Sequence, residues 1–73
     1  MFLKTDTSVY ELTNNEDEEE YALVKLCILP GKRSNVPAGS SWKGRKIELD
    51  CRGKLYLYDG DGKYVTDTSP IHF

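Results

Sequence analysis

Histidine and cysteine are almost missing from this chain. His72 is the one imidazole, and Cys27 and Cys51 are the only thiols among 73 residues. A Ser/His/Asp or Cys/His mechanism would therefore run through a side chain next to the C-terminus, where order is least assured, and His72 reads as an exposed tail residue. Two cysteines allow one staple at most, and a zinc site would need two further ligands. Cys27 lies in an apolar stretch and reads as a small buried hydrophobe, whereas Cys51 reads as an exposed loop thiol.

Also lacking are an apolar segment and a cleavage site after Met1-Phe2-Leu3, and any Asn-X-Ser/Thr sequon. The longest apolar stretch, Ala22 to Leu29, is broken by Lys25 and is far too short to span a bilayer. These absences lead to the expectation of a cytoplasmic, non-enzymatic protein with reduced thiols, no cofactor, no metal and no membrane contact. A chain of 73 residues has room for one core, and hence one domain over residues 1–73. Such a core supplies about 3–5 kcal/mol net, so a homodimer would add useful burial.

Charge is present in quantity and is segregated. Residues 1–20 carry Lys4 against seven acids, a net of −6, with Glu16, Asp17, Glu18, Glu19 and Glu20 in one run. Residues 21–46 carry Lys25, Lys32, Arg33, Lys43, Arg45 and Lys46 with no acid, a net of +6. Such blocks govern solubility and partner choice, not fold.

The second half is the most readable. Arg45 to Asp50, Lys54 to Asp59 and Lys63 to Thr66 alternate polar and apolar residues between glycine-bearing breaks, the signature of three strands. A two-residue turn at Arg52-Gly53 would mix the two faces. A three-residue loop, Cys51-Arg52-Gly53, instead sets Asp50 opposite Lys54, Leu49 opposite Leu55 and Ile47 opposite Leu57. Asp59-Gly60-Asp61-Gly62-Lys63 repeats the Asp-x-x-Gly-Lys shape of residues 50–54, and the same loop length pairs Leu57 with Val65 and Tyr58 with Tyr64. The resulting antiparallel meander has a core face of Ile47, Leu49, Leu55, Leu57 and Val65. Its other face bears Glu48, Asp50, Lys54, Tyr56, Tyr58, Tyr64 and Thr66.

The first half is less decisive. Tyr21 to Leu29 is apolar on all sides, which suits a central strand, yet Asn15 followed by Glu18 resembles a capping box and leaves a helix over residues 16–29 as the alternative. Val9 to Thr13 and Phe2-Leu3 read as short strands. Residues 30–41, with Pro30-Gly31, Pro37 and Gly39, read as a long loop, and 70–73 as a tail whose Ile71 and Phe73 could dock on the core. The expected fold is all-β: about five antiparallel strands curled into a small SH3-like or OB-like half-barrel containing the meander. The runner-up is α+β with one helix.

Two surfaces could carry function. The run Glu16, Asp17, Glu18, Glu19 and Glu20, together with Tyr56, Tyr58 and Tyr64, fits contact with a basic patch on a larger protein. The competing reading takes Lys32, Arg33, Trp42, Lys43, Arg45 and Lys46 as a nucleic-acid surface, with Trp42 stacking on a base and the tyrosines extending the platform. An acidic chain repels nucleic acid at long range, and a tryptophan here more often plugs the end of a small barrel, so the protein-binding reading leads. Asp59-Gly60-Asp61-Gly62 has the look of a calcium loop, but Lys63 and Pro70 stand where oxygen ligands belong, and a hairpin turn accounts for the same residues. The expected class is a small regulator or inhibitor, of the phage or mobile-element kind, that docks on a larger host protein.

Overall fold

The computed structural model describes residues 1–72. All regular structure among them is β: β1 (Phe2–Thr5), β2 (Ser8–Asn15), β3 (Glu20–Ile28), β4 (Ser41–Gly44), β5 (Lys46–Leu49), β6 (Leu55–Tyr58), β7 (Tyr64–Asp67) and β8 (Ile71–His72). They form two antiparallel sheets, one ordered β4-β3-β2-β1-β8 and the other β5-β6-β7. The all-β expectation and the C-terminal meander hold, with eight strands in place of about five.

The helix alternative fails for a visible reason. The Asn15 side chain does accept from the N–H groups of Asp17 and Glu18, at 3.1 and 3.4 Å, as a helix cap would. The chain then turns back instead of continuing, because Glu19 adopts φ 51° and Glu20 pairs with Asn15 across the β2–β3 hairpin. The capping signature and the turn signature are the same side-chain bond, and the cross-strand pair Leu12–Leu23 decides between them. A left-handed residue other than glycine costs roughly 1–2 kcal/mol. Glu19→Gly is accordingly expected to stabilise the fold by about 1 kcal/mol, measured as a raised denaturant midpoint with an unchanged slope.

In the first meander hairpin the register is the one read from the pattern: Ile47 opposite Leu57 and Leu49 opposite Leu55, with the Asp50 N–H donating to the Lys54 carbonyl at 3.0 Å. The Asp-x-x-Gly-Lys repeat is one structure used twice. Asp50 Oδ1 accepts from the N–H groups of Arg52 and Lys54 at 2.8 and 2.9 Å, and Asp59 Oδ1 from those of Asp61 and Lys63 at 2.9 and 2.9 Å. Gly53 and Gly62 close the loops at φ 87° and 83°, where a side chain would be strained.

The second hairpin departs from the expected register halfway along. Tyr58 does face Tyr64, but Leu57 faces Thr66 and not Val65, because a β-bulge interrupts the ladder. The extra residue moves Asp67 opposite Tyr56 and brings Thr68 to the core side, where its hydroxyl accepts from Leu55 N–H at 3.2 Å.

The core lies between the sheets and consists of Leu3, Tyr10, Leu12, Leu23, Leu55, Leu57 and Ile71, with Tyr21, Trp42, Ile47 and Val65 packed against it. Leu49, expected inside, is 54 % exposed at the sheet edge. The expected tail is a paired strand, and its Ile71 docks in the core as the sequence allowed. Ile71 and His72 pair with Thr5 and Lys4, and the Ile71 N–H donates to Gly53 O at 2.9 Å, tying the chain end to the first meander loop. Docking by Phe73 lies outside the described residues. Residues 30–40 carry no strand. Cys27, expected buried, is exposed, as is Cys51.

Candidate functional site

The acidic run forms the tip of the β2–β3 hairpin. Glu16, Asp17, Glu18 and Glu19 are exposed, and among the described residues none of the four makes a salt bridge. Their backbone is held by the Asn15 side chain and by Glu19 N–H donating to Glu16 O at 3.3 Å. Four carboxylates are thus presented on an ordered turn, which lowers the entropic cost of docking relative to a free loop. Glu20 belongs to β3 instead, half-buried and 3.9 Å from Lys43 Nζ.

The two charge blocks meet in space. Arg45 lines a shallow cleft of about 280 Å³ with Asn14, Glu16, Glu19 and Tyr21. Lys46 pairs with Glu48 at 3.1 Å. Three of the expected nucleic-acid residues, Lys43, Arg45 and Lys46, are therefore engaged with or beside the chain's own acids. Lys32 and Arg33 are exposed in the long loop, while Trp42 lies opposite Leu23 and packs on the core. The Trp42 indole is half-buried against the core, while the five cations stay exposed.

The tyrosine face is a bonded network. Asp67, delivered by the bulge, accepts from Tyr64 Oη at 3.0 Å and pairs with Lys54 Nζ at 3.1 Å. Lys54 also sits 5.4 Å from the Tyr56 ring centre, and Tyr56 Oη lies 3.5 Å from Asp50 Oδ2. The bond to Asp67 and its charge raise the Lys54 pKa above its ordinary value. Desolvation pushes the Asp50 carboxyl up, but the N–H groups of Lys54 and Arg52 and the Arg52 guanidinium more than offset this and hold it below 3.8. Tyr64 remains 60 % exposed, whereas Tyr56 and Tyr58 are half-buried. Asp67 was illegible in the sequence because strict alternation places it on the other face.

Sequence reading also missed Lys25. It is 1 % exposed, its ammonium donates to Ser34 Oγ and lies 5.9 Å from the Tyr10 ring centre. Its backbone is bracketed by the long loop, accepting from Gly39 N–H at 2.7 Å and donating to Ser40 O at 2.8 Å. Burial lowers its pKa below 10.5. The folded state therefore binds fewer protons than the unfolded state between that lowered pKa and 10.5, and this residue's contribution to stability rises with pH across that window. The expected result is that wild type gains on Lys25→Met as pH is raised toward 10.5, read from paired denaturation curves; a constant difference would contradict it.

His72 is placed as well. Its Nε2 lies 2.6 Å from Asp6 Oδ1, with both side chains more than half exposed. Among the described residues no three His, Cys, Asp or Glu side chains converge as a metal site would require, and no helix is long and apolar enough to cross a membrane. A second, apolar cleft of about 220 Å³ opens between the sheets, lined by Met1, Leu12, Ile47 and Leu49 among others. No protein family, no curated protein and no solved structure matches the chain.

Proposed function

We propose that this protein is a non-enzymatic binding module, a small cytoplasmic regulator or inhibitor that docks on a larger protein through the acidic hairpin tip and the tyrosine face. The observation that carries the reading is the presentation of Glu16, Asp17, Glu18 and Glu19 on an ordered turn with no salt bridge to the rest of the described chain. A predominantly acidic field on a preorganised turn speeds encounter with a basic surface and favours it over acidic competitors. Tyr64, exposed and oriented by Asp67, supplies a second, amphipathic contact of the kind enriched at interfaces.

A basic surface that normally holds nucleic acid is one that four clustered carboxylates would suit. The test is capture from a host lysate on the immobilised chain, with and without nuclease. A protein retained after nuclease treatment supports direct docking. Loss of all retained protein on nuclease treatment, together with oligonucleotide binding that drops in Trp42→Ala, would transfer the function to the basic residues around Trp42.

A further inference from the structure

One edge of the smaller sheet is open. Among the described residues β5 pairs with β6 and with no other strand. Since Asp50 and Lys54 form a hydrogen-bonded pair, alternation makes Glu48–Tyr56 and Lys46–Tyr58 the next two such pairs. The backbone N–H and C=O groups of Ile47 and Leu49 consequently point away from β6, toward the open edge. The Leu49 side chain is 54 % exposed there, at the rim of the apolar cleft that also holds Met1, itself 76 % exposed. An edge with unpaired backbone groups and exposed apolar side chains is a template for another strand.

The sequence of β5 indicates which strand. Read antiparallel against itself with Ile47 opposite Ile47, Lys-Ile-Glu sets Lys46 of each copy opposite Glu48 of the other. This register also satisfies the backbone, because Ile47 is a residue whose N–H and C=O face outward, so the central pair exchanges two hydrogen bonds. Centring on Glu48 would place two carboxylates directly opposite, and centring between residues would misalign the bonding groups. Lys46 and Glu48 already form a pair within one chain at 3.1 Å, with side chains 63 % and 50 % exposed, so both are free to exchange partners across the seam.

We propose that the occupant of this edge is a second copy of the chain, joined β5 to β5 so that the two small sheets become one continuous six-stranded sheet. A short edge strand bearing charge is also a device for preventing association. The self-complementary order of the charges is what assigns this one to pairing, and it supplies the test.

Sedimentation of the intact chain over a concentration series should show conversion to twice the chain mass of 8.3 kDa. Lys46→Glu sets Glu against Glu at both symmetric positions and Glu48→Lys sets Lys against Lys, so each single variant should dimerise at least about tenfold more weakly. Mixed one to one, the two variants bring an all-acidic edge against an all-basic one, with opposite charges facing at both positions, and should form a heterodimer that neither forms alone. The double variant with the charges exchanged should dimerise like wild type. Because both single variants lose the same intrachain pair, recovery on mixing separates association from damage to the fold. A wild type of 8.3 kDa at every concentration overturns the proposal, as does dimerisation that the single variants leave intact or a mixture that stays monomeric.

Discussion

Gly44→Ala is expected to remove most of the protein's stability. β4 ends at Gly44 and the chain turns there into β5, crossing from one sheet to the other directly over β6. A Cβ on Gly44 would stand 2.5 Å from the Tyr58 carbonyl oxygen and 2.7 Å from the Leu57 side chain. The first of these is backbone, already held by Arg45 N–H at 2.8 Å, and the second belongs to a residue with 0 % exposure, so neither can yield without displacing the corner or the core. Overpacking of this kind costs about 3 kcal/mol where relief is poor. That is comparable with the whole net stability, about 3–5 kcal/mol, of a core this small. Chemical denaturation should show a midpoint lowered by more than half, with a shortened folded baseline. Gly60→Ala is the control: its added carbon meets only the flexible Arg45 side chain at 3.0 Å, and its expected cost is within about 0.5 kcal/mol. Equal midpoints for the two variants would contradict the close approach at Gly44.

Leu23→Ala should be nearly as damaging, by a different route. Leu23 occupies the middle of β3, has 0 % exposure, and lies between Leu12 of β2 and Trp42 of β4. Removing its three outer carbons leaves a cavity that two paired strands prevent from collapsing, at a cost of about 2–5 kcal/mol. Leu26, three residues on and 42 % exposed, should lose less than about 1 kcal/mol on the same change. If the two costs were equal, the assignment of inward and outward faces along β3 would be wrong.

The phase of β3 shows where sequence reading ends. The meander was legible because the Asp-x-x-Gly-Lys repeat fixes two loop lengths, and loop length fixes register. In β3 the alternation is masked, since apolar residues occupy both faces and the one charged residue in its middle, Lys25, points inward with Leu23. Lys25 is accommodated there by Ser34, in a loop beyond the strand, which accepts a hydrogen bond from its ammonium, and by the Tyr10 ring, partnerships that no periodicity announces. The acidic run was visible as charge but not as a turn, because Asn15 caps a hairpin with the same bonds that cap a helix. The tyrosine face was read correctly in its Tyr58–Tyr64 pair, and its Asp67 centre was lost to a bulge of one residue. The apolar cleft arises from Met1, Leu12 and Ile47, which come together only once both sheets are folded.

The functional account rests on the hairpin tip, and its charge can be removed with little disturbance to the fold. Glu16→Gln, Asp17→Asn and Glu18→Gln combined leave Asn15, Glu19 and the Lys43 pair of Glu20 in place. The decisive measurement is the association rate of wild type and this triple variant with the captured protein, taken across ionic strength. The prediction is a rate at least about tenfold lower for the variant at low salt, with a flatter salt dependence and convergence of the two curves at high salt. Superimposable curves at every ionic strength would contradict docking through the acidic hairpin.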